Sequence, residues 1–476
     1  MINKNKKAPE LNPIPKSTMN TAWILVLGAI MPILDSTMVN IAINHLSKDF
    51  SSGLDLIQWV ITGYVLAMAI SVPLVGWAVQ RFNGKWLMIG ANVLFLAASI
   101  ACGFSGSIGS MIIYRIIQGF SAGFIMTLVT TLAIEVAGRE RMGRVMSTVG
   151  IPIILGPIFG PVIGAFIVQF LSWRYIFFVN IPIGIIAVVL MILKLPNFKP
   201  SNVKAKFDFI GILLLGASSS ALIYGITKAA KKATFHNSLT IGYVIAGIAI
   251  LVIYIIYAAI KKEHAILPLH LFKSKNFSAV MVGLFFAGIA TNGPMLLLPL
   301  FFQNVKGFSV LVVGLILIPQ GIGMLVARPL VGRLTDKLGA RNIVLVSLLL
   351  AVIGTIPFVF FDKASSLVLV SVVLFVRGLG VSGVSLPMMT DAYTGMEKQE
   401  IAQVSIGTRL MQSIGGAFGS ATLATVVSLT IHGKTPTIPL MTEAYHDGFM
   451  LALVLSVVLL IPAVFLTNKK GRDGES

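Results

Sequence analysis

Carboxylates are scarce in this chain: Asp and Glu number 17 among 476 residues, against 36 Lys and Arg. Cysteine occurs once, as Cys102, so no intrachain disulfide can form. The six histidines are scattered, with neither metal-ligand spacing nor a paired Cys, and no metal site is expected. No G-x-x-x-x-G-K-[ST] run is present, which removes ATP as the expected energy source and leaves an ion gradient. Nor is a nucleophile–base pair legible, so enzyme chemistry is not expected.

What the chain has instead is oil. It is 56% hydrophobic, only 11% charged, and its mean hydropathy is +0.93, more apolar surface than a water-soluble core can hide. A bilayer core of roughly 30 Å calls for about 20 apolar residues per helical span. Fourteen such runs are legible, at 22–43, 57–79, 86–104, 109–135, 145–168, 173–194, 208–228, 239–260, 277–303, 309–331, 342–361, 366–390, 400–430 and 443–467. They are long and apolar on every face, so they predict helices and not barrel strands, which need only about 10 alternating residues.

Lys and Arg in short loops set the orientation. The tail before the first span carries Lys4, Lys6, Lys7 and Lys16, and alternate connections carry Arg81/Lys85, Arg139/Arg141/Arg144, Lys199/Lys204/Lys206, Lys261/Lys262/Lys273/Lys275, Arg333/Lys337/Arg341 and Lys398, before Lys469/Lys470/Arg472 at the end. Both termini are therefore expected in the cytoplasm. The opposite connections are nearly uncharged, except near Lys228, Lys231 and Lys232. The formal charge of +19 is thus spread over loops that face anionic headgroups, and no nucleic-acid partner is expected. The first apolar run follows a 20-residue tail and is long enough to span, so no cleavable signal peptide is expected.

Two loops read alike, "GWAVQRFNGKW" from Gly76 and "GRLTDKLGARN" from Gly332, at an offset of 256. "RIIQGFSAG" from Arg115 and "RGLGVSG" from Arg377 repeat at 262, and Gly156/Gly160 with Gly415/Gly419 at 259. Three near-equal offsets in chain order mean two copies of a six-helix unit, with spans seven and eight inserted between them. An even number of spans gives both copies the same orientation, with a cavity between the halves near the bilayer midplane. The chain divides into a tail (1–21), a first six-helix bundle (22–194), a two-helix insert with flanking loops (195–276), a second six-helix bundle (277–467) and a tail (468–476).

These stretches, together with "LDSTMVNIAI", "QWVITGYVL", "GPIFGPVIGAFI", "SWRYIFFVNIPIG", "LPLFFQNVKGFS" and "RLMQSIGGAFG", resemble the major facilitator superfamily, and within it the 14-spanning drug:proton antiporters. The resemblance covers essentially the whole chain. It implies an all-α polytopic membrane protein of the major facilitator fold, with two six-helix parallel repeats plus two extra helices. It further implies multidrug efflux from the cytoplasm through the cell membrane, and hence antibiotic resistance.

Asp35 is the one acid placed deep within a predicted span. Counting from the outer ends of their spans, Asp35 and Arg115 lie about 12 and 9 Å deep and could meet. An isolated charge in hydrocarbon costs roughly 3 kcal/mol or more, so pairing or a wet cavity is the expected remedy. Burial raises a carboxyl pKa and a guanidinium lowers it, a balance that suits a proton site. A shift of 257 carries Asp35 onto Asn292, polar but unable to ionise. The resemblance places Arg115 near the proton path; a fixed structural counter-ion is the other reading.

Met31 and Met38 share the Asp35 face of the first span and, with Asn40, Trp59, Tyr64, Gln118 and Phe120, are candidates to line a cavity for varied apolar shapes. Gly156, Gly160 and Gly164 form a bare stripe that lets a neighbouring backbone approach, while Pro157 and Pro161 favour bending. Plain small-residue packing is one reading. The resemblance supports the other, a helix that bends at the interface between halves. It also implies that the loops at Gly76 and Gly332, with Arg81, Lys85, Asp336 and Arg341, latch the cytoplasmic side. Gln80 stands where the family has Asp, and Asn83 where it has Gly.

The expected function is proton-coupled antiport of amphipathic, cationic drugs, by a monomer without cofactor, driven by the proton gradient. A dedicated exporter of one metabolite, lipid or siderophore, and a non-transporting sensor or scaffold, remain open at this level.

Overall fold

A computed structural model describes residues 13–52, 54–138, 141–200, 207–232, 238–262, 265–397, 400–431, 434–435 and 437–468. In chain order the helices are α1 (Lys16–Asp49), α2 (Leu54–Arg81), α3 (Gly84–Gly103), α4 (Ile108–Ala137), α5 (Met142–Val149), α6 (Ile151–Phe170), α7 (Tyr175–Phe178), α8 (Asn180–Lys194), α9 (Phe209–Lys232), α10 (Ser238–Lys261), α11 (Lys275–Asn304), α12 (Val310–Leu338), α13 (Ala340–Ile353), α14 (Leu367–Asp391), α15 (Ile401–Ile431), α16 (Ile438–Val458) and α17 (Leu460–Val464). Among the described residues, thirteen helical stretches are long and apolar enough to cross a membrane. The fifth predicted span, 145–168, is occupied by α5 and α6, where the side chains of 152–155, 157, 158 and 161 lie outside the described residues. Pro157 and Pro161 are among them.

Several helices overrun the predicted spans. α1 begins six residues before Ala22 and ends six after Ile43, because backbone hydrogen bonds persist past the hydrocarbon while the side chains turn polar. Four predicted spans are interrupted: 145–168 at Gly150, 173–194 at Val179, 342–361 at Gly354, and 443–467 at Leu459. The first break has a proline in the opening turn of α6, where a missing N–H is harmless. Hydroxyl caps start several helices. Ser107 and Ser110 form a capping box on α4, and Ser274 and Ser309 accept N–H bonds at α11 and α12.

The internal repeat is visible in how glycines let helices touch. Gly119 and Gly123 of α4 face the α2 backbone at Tyr64 and Met68, and Gly378 of α14 faces the α12 backbone at Gln320. Gly156, Gly160 and Gly164 of α6 face Ile33, Thr37 and Met38 of α1, while Gly415 and Gly419 of α15 face Phe285 and Ile289 of α11. The glycine stripe therefore seats α6 on α1, within its own half. The other side of α6 meets α12 of the second half, where Val162 packs on Gly314.

The two matching loops differ for a physical reason. Gly339 takes φ +83°, a conformation that favours glycine. Asn83 takes φ −66°, and its side-chain oxygen accepts from the Lys85 N–H to cap α3. Each loop is strapped by the chain that ends its half: Gly84 N–H donates to Phe198 O, and Ala340 and Arg341 N–H donate to Thr467 O.

α9 packs against both α2 and α15 and so covers one seam between the halves. Gly216 meets Ile70, Tyr224 stacks on Trp59 with ring centroids 5.8 Å apart, and Leu222 and Ile226 cluster with Ala421. α10 packs on α9 and turns Ile245, Ile248, Val252 and Ile256 outward.

Candidate functional site: a sealed acid and a basic cavity

Asp35 and Arg115 meet inside the first half, both buried to within 1% of complete, as a direct ion pair through Arg115 Nη1. The pair is held on all sides. Arg115 Nε donates to Val60 O at 3.1 Å, Nη1 also donates to Gln118 Oε1 at 2.6 Å, and the guanidinium lies 4.1 Å from the centre of the Tyr64 ring. Asp35 Oδ1 accepts from Gln118 Nε2 at 3.1 Å and from Asn180 Nδ2 at 3.3 Å. Asn180 Nδ2 also reaches Ser99 Oγ at 2.9 Å, and Tyr64 Oη donates to Pro32 O at 3.2 Å. Each of these partners of the carboxylate is a donor. Asn180 Oδ1 is buried with no hydrogen-bond partner. With that amide turned over, its oxygen would accept from a protonated Asp35, so the same side chains can serve either state.

A second feature lies between the halves: a cavity of about 550 Å³. Six methionines line it, Met68, Met126 and Met146 from the first half and Met295, Met324 and Met389 from the second. The polar lining includes Thr291, Asn292, Gln320, Gln412, Ser413 and Ser420, and two cations, Arg328 of α12 and Arg409 of α15. No carboxylate is among the described residues that line it. A cationic cargo, as expected from sequence, would thus meet a wall of its own sign.

Of the residues singled out from sequence, only Asn292 faces this cavity among those whose side chains are described. Its Nδ2 donates to Gly288 O at 3.1 Å, so the counterpart of the sealed Asp35 is open where Asp35 is not. Met31 and Met38 are buried in the packing of the first half, Met31 beside Gly184 and Met38 beside Gly164. Tyr64 and Gln118 belong to the acid network. Asn40 is exposed and bonds back to Ser36 O, Trp59 stacks on α9, and Phe120 pairs with Phe124. Asn180, Ser99, Arg328 and Arg409 were missed. For the arginines a signal existed, since each is a charge inside a predicted span, 309–331 or 400–430.

The halves are joined at the end that carries the basic loops. Asp336 accepts the N–H of Gly143 at 2.8 Å and of Arg144 at 3.2 Å, and Arg144 Nε at 3.1 Å. A carboxylate at the start of α5 also answers the helix dipole. Gly332 packs on the Gly143 backbone, and Arg328 Nε donates to Ser147 O at 3.4 Å, its guanidinium against Gly150. Across the other seam Gly76 meets Ile406 and the Ala402 carbonyl. Arg81 closes α2, Lys85 Nζ donates to Ile192 O at 2.8 Å, and the Arg341 backbone takes part in the strap to Thr467.

Arg377, the repeat counterpart of Arg115, is 2% exposed and donates to Thr355 Oγ1 at 3.2 Å and Gln320 Oε1 at 3.0 Å. Gln320 stands where the first half has Tyr64, at an offset of 256. The second half thus repeats the arginine but pairs it with neutral acceptors.

Two six-helix sets seated on matching glycines, latched at their basic ends around a cavity, define a membrane transporter fold. A profile of the major facilitator superfamily matches residues 25–420, and the chain belongs to that superfamily. It is 29% identical over 489 residues to a multidrug resistance protein B homolog of Mycobacterium tuberculosis, covering 95% of this chain and 90% of that one. It is 28% identical over 454 residues to a putative multidrug resistance protein MdtD of Yersinia pestis, covering 94% and 95%. The proton:xylose symporter XylE shares the fold, with a TM-score of 0.65 at 16% identity over 94% of this chain and 97% of the other. The protein is a transporter and not an enzyme.

Proposed function

We propose that this transporter exports amphipathic small molecules from the cytoplasm across the cell membrane, exchanging them for protons, with Asp35 as the proton site and no cofactor. The observation that carries the reading is the sealed Asp35–Arg115 pair, which stands apart from the cavity and is surrounded by amides able to answer either protonation state. Protonating Asp35 removes the attraction that ties α1 to α4 and leaves Arg115 uncompensated, a change worth several kcal/mol in a low-dielectric interior. α1 rests on the glycine stripe of α6, and α6 rests on α12, so a shift of α1 reaches the seam that Asp336 latches. Protons and cargo are then coupled through two arrangements of the same helices. The curated relatives named for multidrug resistance support export of varied molecules, and the methionine lining suits that task.

The test is purified protein in proteoliposomes with an imposed pH gradient and a panel of amphipathic dyes. Gradient-dependent dye movement is expected, lost in Asp35→Asn while the variant stays monodisperse in detergent. Equal dye accumulation with and without the gradient would sink proton coupling, and normal transport by Asp35→Asn would remove the assignment of the acid.

A further inference from the structure

We infer that the central cavity selects organic anions: its cargo carries a carboxylate, sulfonate or similar oxyanion head on an apolar body, and Arg328 and Arg409 hold the head. The inference deepens the exporter reading and rests on it for direction and energy source, but not for binding.

The lining carries two guanidinium groups and no described carboxylate. Arg328 and Arg409 each keep partial exposure although their helices cross the middle of the molecule, and the space they open into is this cavity. The hydrogen bond recorded for Arg328 goes to a neutral carbonyl, Ser147 O at 3.4 Å, long for a charged donor. An arginine cannot shed its proton to escape burial, so two of them in an apolar enclosure leave a standing positive potential. Arg377 adds a third cation behind the wall, reaching the lining through Gln320.

A guanidinium presents a planar fork of N–H donors that matches an oxyanion, and an entering anion would offset part of that positive potential. The six methionines provide a deformable apolar bed for the rest of the molecule. A volume of 550 Å³ is that of a site for drug-sized molecules. A cationic amphipath would fit the bed equally well but would meet like charge with no counter-ion, which costs affinity.

The experiment measures binding to the full-length protein in detergent by fluorescence anisotropy, using two xanthene dyes of similar body and opposite charge, fluorescein and tetramethylrhodamine methyl ester. The unaltered protein is expected to bind fluorescein at least tenfold more tightly than the cation. Arg409→Gln and Arg328→Gln should each weaken fluorescein tenfold or more, with Arg409→Lys recovering part of the loss. Because Arg328 also touches the latch, Arg409 is the cleaner position, and the dye comparison on unaltered protein needs no variant to fold. Tighter binding of the cation, fluorescein affinity unchanged in folded Arg409→Gln, or displacement of fluorescein by chloride or inorganic phosphate as readily as by organic anions would each overturn the proposal. The two readings separate in proteoliposomes. Arginine-dependent anion binding without gradient-driven movement leaves the anion site standing and removes proton-coupled export. Gradient-driven movement of the cation alone keeps export and removes the anion site.

Discussion

Because a carboxyl can take up a proton and a guanidinium cannot give one away, the two partners of the buried pair respond unequally to loss of the other. In Arg115→Gln, Asp35 can neutralise itself and keep its bonds to Gln118 and Asn180. In Asp35→Asn, Arg115 stays charged, with neutral Val60 O and Gln118 Oε1 as its remaining acceptors in the network. Removing one member of a buried pair costs about 3–5 kcal/mol when the other charge persists. Asp35→Asn is therefore expected to lower thermal stability in detergent more than Arg115→Gln. The double variant should be more stable than Asp35→Asn alone, a coupling that a thermal-unfolding cycle over the four proteins reads directly. A double variant that loses the sum of the two single losses would show the pair to be energetically idle. Matching depth made this pair legible in sequence, since distance along a helix converts to depth in the bilayer. Its amide shell was half legible: Gln118 sits one turn from Arg115, whereas Asn180 reaches Asp35 from 145 residues away. Arg328 and Arg409 were equally visible as charges within spans, but the direction each one faces is set by neighbouring helices.

At the scale of helices, the glycine contacts sort into those that bear packing and those that do not. A Cβ at Gly160 would collide with Thr37 Oγ1, and one at Gly415 with the Phe285 carbonyl, whereas Gly90 of α3 has nothing within 4 Å of that position. Thr37 is β-branched and bonded to Leu34 O at 2.8 Å, so it yields with difficulty; a backbone carbonyl yields less. Overpacking costs about 1–3 kcal/mol, while Gly to Ala in a free helical position gains up to about 1 kcal/mol of propensity. Melting curves should rank Gly415→Ala below Gly160→Ala, with Gly90→Ala equal to or above the parent protein. A flat series would mean the seams are loose enough to absorb a methyl group. The stripe itself was plain from its spacing of four, and so was the duplication. Which helix the stripe served was not, since helices apolar on every face carry no moment to say which side is inward. The kinked spans were read as single runs for the same reason: hydropathy is blind to a break at Gly150 or Val179 when both sides are equally apolar.

For the whole molecule, the sign of the cargo decides what the membrane potential can do. A proton entering in exchange for a departing monovalent cation moves no net charge. A proton entering in exchange for a departing monovalent anion moves two charges in the same sense, and each charge crossing is worth about 2.3 kcal/mol per 100 mV. An interior-negative potential would then add roughly 5 kcal/mol per 100 mV to each cycle with no pH difference at all. Such a cycle needs the acid and the cargo site to be separate, because an anion arriving beside a deprotonated Asp35 would be repelled. The structure keeps them apart, with Asp35 sealed among Arg115, Gln118 and Asn180 while Arg328 and Arg409 face the cavity. Vesicles clamped at equal pH on both sides, with a potassium gradient and valinomycin setting a potential negative on the side holding the dye, are therefore expected to drive fluorescein across. Reversing the potassium gradient should reverse the direction, and Asp35→Asn should abolish the movement. Fluorescein movement that follows a pH gradient but ignores the potential would overturn anion-for-proton exchange, since an electroneutral cycle requires the anion and a charge-balancing number of protons to cross in the same direction.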